Sequence, residues 1–439
     1  MEPLKKNILL LSSGDINGAY EYIYRLAKLF HVEGHQVAML VKKRTKTDSF
    51  IIQYIENKPY KRKTILERVY IKIKNKFLNK RCTLKPTFDV NYDFISVDET
   101  SVNINPYLIL DLIGFRPEFI FSGMTDNFMN STDLFNLQQL TFSQVYNITV
   151  DMNHFTGGCH FAWGCKGYID GCNECPAITS SYGKDLAKIN FETKLENSRK
   201  GKFKILTGSG WTMNQAKESL IYKNQSDIVN INSLIDINVF NNKSRSFAKQ
   251  IFNLEDNNFY ILMGCQNANA KRKGFEYLLD SLKILYSNLN QNQRSKIKVL
   301  IVSKIVSHNF EEIPFDKQHI DYINDYRLLS LLYQATDVFV NSSIEDSGPM
   351  MVSEALACGT PVVGFDMGVV NNLVVTGYNG YKAKLKDSED LAEGIETIIN
   401  LSKVKYLEYS DNAVKQVEEY SSFKYFNSLF ARILKENNN

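Results

Sequence analysis

The sequence alternates short apolar segments with amphipathic ones, and it does so in two separate series. In the first series, residues 7–13 predict a buried strand, residues 20–33 a helix that ends at Gly34, and residues 36–41 the next strand. Strand, turn, helix and strand in this order form a right-handed parallel unit. Two further buried strands are predicted at 119–121 and 145–151.

The second series restarts the same pattern after a polar stretch rich in Asn, Lys and Ser. Two successive series indicate two doubly wound α/β domains. We place them at 1–235 and 236–420, and expect the amphipathic helix within 421–439 to pack back on the first domain. The second series has strands at 259–264, 297–303, 337–340 and 361–365, and helices at 274–289, 326–335 and 350–357.

Composition excludes several classes of protein. The 439 residues are 44% hydrophobic and 23% charged, which is typical of a globular enzyme and not of a disordered or fibrous chain. The apolar runs are too short to span a bilayer, and the run 8–11 is too short for a secretory signal. We therefore expect a cytoplasmic protein.

Positive charge is concentrated in the segment 58–85. This segment holds eleven Lys or Arg residues against one acid, Glu67, although the whole chain has a formal net charge of +4. Apolar residues recur there at helical spacing, which is typical of a helix on an anionic membrane surface. The alternative is a solvated excursion that packs on its own domain. Nucleic acid is not expected as a partner, because no recognised binding module surrounds the segment.

A candidate anion site follows the predicted strand 337–340. Gly348 and Pro349 begin the next helix, at a position where the missing N–H of proline costs little. The first turn of that helix presents the amides of Met350 and Met351, and helix N-termini favour anions. A diphosphate would fit there.

Carboxylates lie on both sides of these amides. Glu345 and Asp346 precede the helix, and Glu354 follows one turn into it. One acid on the loop and one on the helix suit the hydroxyls of a nucleotide sugar. Taken singly, Asp346 could be a helix cap and Glu354 an exposed helix acid.

This region resembles the E-x7-E segment of the retaining family-4 glycosyltransferases, with Asp346 in place of the first Glu. The segment 355–363 (Ala-Leu-Ala-Cys-Gly-Thr-Pro-Val-Val), the segment 377–380 (Gly-Tyr-Asn-Gly) and Lys273-Gly274 support the resemblance. The resemblance implies the GT-B fold, in which two Rossmann-like domains face each other across a cleft. It also implies that Glu354 holds the ribose, and that Asp346 or Glu345 contacts the donor sugar.

The resemblance assigns further residues to the donor. Arg272 and Lys273 would face the diphosphate, where cations stabilise the charge that develops on the leaving group. Gly14 and Gly18 belong to the loop that approaches the donor phosphate and the acceptor; a plain tight turn is the alternative for them.

Four cysteines lie close together in the sequence, spaced C-x5-C-x6-C-x2-C. A cytoplasmic cluster of this density suggests a structural zinc, with His154 or His160 as substitute ligands. Reduced thiols that pack a loop, and a disulfide or redox role, remain alternatives. The residues concerned are Cys159, Cys165, Cys172 and Cys175.

The same stretch resembles a branch of family-4 enzymes that assemble capsule and surface polysaccharides and carry a Thr-Gly-Gly-Cys-His segment, here 156–160. That branch has a His-Asp pair at the end of the strand, whereas this chain has Val150 and Asp151. Either His154 reaches the cleft instead, or the imidazole is dispensable, or the protein is inactive. Asp151 and His154 are expected on the acceptor side.

Together these observations predict a retaining glycosyltransferase of the hexosyltransferase type. The donor would be a UDP- or GDP-sugar, and the acceptor a glycan or lipid-linked sugar in surface polysaccharide synthesis, with the protein peripheral at the inner membrane face. No catalytic metal is expected, because we find no D-x-D-type site. The alternatives are a sugar-nucleotide epimerase, a phosphorylase, or a non-catalytic scaffold on the same fold.

Overall fold

The computed structural model describes residues 5–16, 18–55, 85–95, 98–149, 151–348 and 350–436. The basic segment 58–85, for which a membrane-surface helix is predicted, lies outside these ranges except for Lys85. Val150 and Pro349 also lie outside the described residues.

The N-terminal domain is built on a parallel sheet. Its strands are β1 (Asn7–Ser12), β2 (Gln36–Val41), β3 (Ile51–Gln53), β4 (Phe119–Ser122), β5 (Gln144–Thr149), β6 (Lys204–Thr207) and β7 (Val229–Asn230). Their order is β3-β2-β1-β4-β5-β6-β7, and every pair is parallel. A parallel sheet is covered by helices on both faces, which is why central strands such as β1 and β4 are almost entirely apolar and buried.

The C-terminal domain repeats this architecture. Its strands are β8 (Phe259–Asn267), β9 (Ile297–Ile305), β10 (Asp316–Asp321), β11 (Val338–Asn341), β12 (Val362–Phe365) and β13 (Gly380–Ala383). They form a parallel sheet in the order β10-β9-β8-β11-β12-β13. The predicted pair of doubly wound α/β domains is confirmed.

Helices of the N-terminal domain begin and end where the sequence favours it. Asn105 caps the second helix and Pro106 occupies its first turn, while Asn130 and Asp133 form a capping box at the third. The helices are α1 (Gly18–Val32), α2 (Pro106–Ile113), α3 (Ser131–Thr141), α4 (Leu186–Gly201) and α5 (Gly210–Glu218).

Helices of the second half cover the second sheet, except the last one. They are α6 (Arg245–Ile251), α7 (Phe275–Asn288), α8 (Gln291–Lys296), α9 (Tyr326–Ala335), α10 (Met350–Ala357), α11 (Gly368–Leu373), α12 (Ser388–Ile399) and α13 (Lys403–Tyr420). The final helix, α14 (Phe423–Glu436), returns to the N-terminal domain, because Phe426 and Phe430 belong to the core cluster that contains Phe30 and Phe121.

Replacing Phe430 with Ala tests how strongly α14 is held. Its buried ring packs edge-on against Phe30 at 4.8 Å and Phe121 at 5.5 Å between centroids. We expect Phe430→Ala to lower the free energy of unfolding by about 3–5 kcal/mol, measured by chemical denaturation. The matched control Phe247→Ala, at a ring 53% exposed, should change it by less than about 1 kcal/mol; equal effects would contradict the packing of α14.

Candidate active site

The carboxyl ends of β5, β8 and β11 open into a cleft of about 810 Å³ between the two domains. The N-terminal domain contributes Gly18 and Asp151 to its lining, and the C-terminal domain contributes Lys273, Asp346 and Glu354. Ligands of parallel α/β sheets bind at this edge. Most of the residues predicted to bind a donor therefore meet in one place, although the sequence separates them by more than three hundred positions.

Two cations and one carboxylate form the centre of the cleft. Asp346 Oδ2 accepts from Arg272 Nη1 at 2.9 Å and from Lys273 Nζ at 2.5 Å. Burial opposes ionisation of Asp346, but the neighbouring charges of Lys273 and Arg272 outweigh it and hold its pKa at about 2. The guanidinium of Arg272 also lies 4.6 Å from the ring centroid of Phe161. The group carries one net positive charge and faces the space where a diphosphate is expected.

A glycine allows this group to form. Gly274 follows the turn that carries Arg272 and Lys273, with a left-handed φ of +61°. A Cβ there would lie 2.0 Å from the carbonyl oxygen of Ser342, which follows β11. Only glycine permits this close approach, and it brings the two cations to the loop that bears Asp346.

Glu345 lies behind the cleft and not in its lining. Its side chain is buried, whereas the adjacent Asp346 lines the cleft. Burial, together with the charge of Asp346, raises the pKa of Glu345 to about 7. Of the two acids between which the sequence could not choose, Asp346 is the one that lines the cleft.

The titration of Glu345 predicts a stability difference that depends on pH. Because the folded protein holds this proton to about pH 7 and the unfolded chain releases it near pH 4.5, wild-type stability should fall as pH rises between these values. Relative to Glu345→Gln, the loss from about pH 5 to about pH 8 should be on the order of 2 kcal/mol, measured by denaturation at each pH. Exposed Glu192→Gln is the control; parallel curves for wild type and Glu345→Gln would contradict the burial effect.

The first turn of α10 borders the cleft. The amide of Gly348 donates to Asp346 Oδ1 at 3.3 Å, and Met350 and Met351 line the cleft after it. Pro349 between them lies outside the described residues. This end of the helix is open to the cleft, as anion binding requires.

Glu354 lines the cleft but is already engaged. Its Oε1 accepts from Arg25 Nη2 at 2.8 Å, and its Oε2 accepts from the hydroxyl of Tyr333 at 3.1 Å. Each carboxylate oxygen can accept a second hydrogen bond, so capacity remains for a hydroxyl from the cleft. Arg25 comes from α1 of the other domain, which the sequence did not indicate.

Asp151 and His160 form a pair on the N-terminal side of the cleft. Asp151 Oδ2 lies 2.6 Å from His160 Nδ1, and its Oδ1 accepts from the amide of Asn153. Burial opposes protonation of His160, but Asp151 outweighs it and raises the imidazole pKa. Both residues line the cleft, and the buried His160 Nε2 has no hydrogen-bond partner among the described residues.

His154 does not take that position. Its Nε2 lies 3.0 Å from the carbonyl oxygen of Gly123, and burial lowers its pKa to about 4. It is absent from the described lining of the cleft, so the imidazole at the cleft belongs to His160.

The two glycines of the first loop have different surroundings. Gly18 lines the cleft with a φ of +44°, and a Cβ there would meet nothing within 4 Å. Gly14 instead packs under the ring of Tyr20 and is not part of the described lining. Gly18 is thus the one of the two that borders the candidate donor site.

The four cysteines pack as reduced thiols. All are free, and they line a small cavity within one apolar cluster. Cys172 Sγ accepts from the amide of Gly157, and burial raises its pKa to about 12. Among the described residues, no group of three or more His, Cys, Asp or Glu side chains could hold a metal ion. The zinc site predicted at Cys159, Cys165, Cys172 and Cys175 is thus not found among the described residues, and the arrangement that the structure describes is the alternative, thiol packing.

Metal analysis tests thiol packing against a zinc site. Because a metal-binding thiol must be deprotonated and burial disfavours the thiolate here, we expect much less than about 0.1 zinc per chain after purification without chelator. Adding a chelator should leave the melting temperature unchanged. Near-stoichiometric zinc that is lost together with stability would overturn the assignment.

Sequence reasoning missed the charged residues of α1. Glu21 and Arg25 are one turn apart and both buried, within the face that also buries Ile23 and Leu26. The sequence held a signal for their burial. An acid and a base four residues apart on the apolar face of a helix point toward the core, whereas a solvated pair lies on the polar face.

Comparison with solved structures identifies the fold. A glycosyltransferase from Rickettsia africae superposes with a TM-score of 0.63 at 14% identity, covering 98% of both chains. HepE of Anabaena, in complex with UDP and glucose, gives 0.59 at 14% identity over 98% of this chain and all of that one. The protein has the GT-B arrangement of two Rossmann-like domains.

The C-terminal half also matches at the level of sequence. Residues 245–417 match the family model described as glycosyl transferases group 1, so this half contains a group 1 glycosyltransferase domain. Among the described residues, no helix is long and apolar enough to cross a membrane.

Curated relatives agree with this domain. An uncharacterised glycosyltransferase of Methanocaldococcus jannaschii is 26% identical over 260 residues, 56% of this chain and 66% of that relative. A diphospho-undecaprenol N-acetylgalactosaminyltransferase of Campylobacter jejuni is 33% identical over 89 residues, 20% of this chain and 23% of that one. Each match spans less than two thirds of the relative's length.

Proposed function

We propose that the protein is a retaining glycosyltransferase that moves a hexose from a UDP- or GDP-sugar to a glycan or lipid-linked acceptor. The observation that carries this proposal is the convergence of Arg272, Lys273 and Asp346 with the open end of α10 in one interdomain cleft. A group of side chains with one net positive charge, together with helix amides and flanking carboxylates, suits a nucleoside diphosphate carrying a sugar.

The donor fits with its diphosphate against Arg272, Lys273 and the first amides of α10. Its ribose then lies near Glu354, which accepts from the hydroxyls, and its sugar near Asp346. The Anabaena structure of the same fold holds UDP and glucose, which supports a nucleotide-sugar donor.

Retention follows from the family-4 resemblance. The bond from the sugar's anomeric carbon to the phosphate oxygen breaks, and the acceptor oxygen bonds to that carbon from the same face. The acceptor proton passes to an oxygen of the leaving diphosphate. Arg272 and Lys273 stabilise the charge that develops there, so their fixed position lowers the barrier without reorganisation.

The N-terminal side of the cleft receives the acceptor. Asp151 and His160 lie there, beside the apolar residues Phe88, Val90 and Phe94. The Campylobacter relative acts on a lipid-linked sugar by its name, which supports an acceptor of that kind and a role in surface polysaccharide synthesis. Attachment to the inner membrane face through 58–85 stays a prediction from the sequence.

Epimerase and scaffold functions are less well supported. The matched family model and the curated relatives above are described as glycosyltransferases, which favours group transfer. Incubation with UDP- and GDP-sugars separates the classes: transfer or slow hydrolysis releases free nucleotide, an epimerase alters the sugar without release, and a scaffold binds without turnover.

The turn that carries the cations offers a matched pair of variants. Lys273 lines the cleft, whereas Lys271, two residues earlier, lies over the Trp163 ring outside the described lining. We expect Lys273→Met to weaken nucleoside diphosphate binding about 10- to 100-fold by calorimetry, because a charge-assisted contact to phosphate is lost. Lys271→Met should leave affinity within about twofold. Equal affinity of both variants and wild type would contradict the placement of the diphosphate.

A further inference from the structure

We propose that Arg25 is a positioning residue for the donor nucleotide: it holds Glu354 from the opposite domain, so the ribose-binding carboxylate is complete only when the two domains are in contact. This inference rests on the proposed function, in which Glu354 accepts hydrogen bonds from ribose hydroxyls. Arg25 acts through Glu354 and not through the substrate, since it is not part of the described lining of the cleft.

All three nitrogens of the Arg25 guanidinium donate hydrogen bonds. Its Nη2 donates to Glu354 Oε1 at 2.8 Å, and its Nη1 donates to the carbonyl oxygen of Leu234 at 3.3 Å. Its Nε donates to Glu21 Oε1 at 3.2 Å. The side chains of Arg25 and Glu354 are only 5% and 4% exposed, so this ion pair is shielded from water and salt.

Two aromatic rings fix the direction of the guanidinium. The rings of Phe240 and Tyr326 each have their centroid 5.2 Å from Arg25 Cζ. Tyr326 begins α9 of the C-terminal domain, so a side chain of the first domain lies against aromatic groups of the second. A planar group with several donors suits this position, whereas a lysine ammonium has no plane to pack against a ring.

Glu354 depends on this contact for its own geometry. Its partners are Arg25 from the N-terminal domain and Tyr333 from its own domain. Separation of the domains removes the one charged partner that Glu354 has among the described residues, and a buried carboxylate without a counter-charge is costly. The carboxylate is therefore fixed for ribose by contact between the domains.

A second link connects Arg25 to the N-terminal rim of the cleft. Glu21 Oε2 accepts from Lys46 Nζ at 2.8 Å, and Glu21 itself lines the cleft. The chain of charges runs from Lys46 through Glu21 and Arg25 to Glu354. Binding of a nucleotide at Glu354 and approach of the two domains should consequently favour each other, because both rely on the same ion pair.

The test compares a nucleotide that has ribose hydroxyls with one that lacks them. The full-length protein is titrated with UDP or GDP, whichever the wild type binds, and with its 2′,3′-dideoxy form. We expect Arg25→Met to weaken binding of the normal nucleotide about tenfold or more, and of the dideoxy nucleotide by less than about threefold. A purely structural role would weaken both equally.

Three further comparisons complete the design. Lys28→Met is the matched control, because Lys28 is one turn along α1 and pairs with Asp236 at 3.0 Å, away from the described cleft lining; it should preserve both affinities. Arg25→Lys retains the charge without the planar fork, and should recover only part of the affinity. In a Glu354→Gln background, Arg25→Met should have less than about a twofold further effect on the normal nucleotide.

The outcomes separate the two claims. If the wild type binds neither UDP nor GDP, the proposed function fails. If the wild type binds but does not prefer the normal nucleotide over its dideoxy form, the ribose contact of Glu354 in the proposed function fails together with the inference. If the wild type shows that preference but Arg25→Met and Glu354→Gln have additive effects, the inference about Arg25 is wrong while the proposed function stands. Should Arg25→Met not fold, Arg25→Lys carries the same comparison, and equal losses for both nucleotides would overturn the inference.

Discussion

A carboxylate that stays ionised when it is taken out of water needs a positive charge beside it, and this requirement organises the cleft. Asp346 meets Arg272 and Lys273, which follow a different strand of the same domain. Glu354 meets Arg25 from the other domain. An unpaired buried charge costs several kcal/mol, and the contacts between the segments that carry these residues avoid that cost. The interactions that stabilise the cleft are thus the ones that arrange it for a charged ligand.

Strand order explains why those partners are neighbours. The strand β8 lies beside β11 in the sheet, so the turn after β8 and the loop after β11 leave the same edge. Gly274 then lets the turn after β8 approach the loop after β11 closely enough for Arg272 and Lys273 to reach Asp346. In a parallel sheet the carboxyl ends coincide, and residues far apart in sequence converge there.

The sequence predicted what depends on local patterns. The bounds of β2, α9 and α10 agree with those expected from apolar spacing alone. The edge strand β10 was missed, because its residues are mostly polar and partly exposed and leave no apolar run. Arg25 was missed for another reason: its spacing with Glu21 indicates at most that it is buried, while its partner Glu354 lies 329 positions away, and pairing at that distance has no local signature. Likewise, four close cysteines do not reveal whether their thiols converge on a metal or pack apart.

The connection between the domains passes beside Arg25. The chain leaves the first sheet after Asn230, and Ile235 donates from its amide to the carbonyl oxygen of Ser421, where the chain returns toward α14. Leu234, the residue before this crossing, accepts from Arg25. The two connections between the domains, at Leu234 and at Ser421, thus lie side by side where Arg25 binds. A relative rotation of the domains about this point changes the position of Arg25 with respect to Glu354. The packing of α14 on the first domain keeps the return crossing in place, so a helix remote from the cleft contributes to the geometry of its carboxylate.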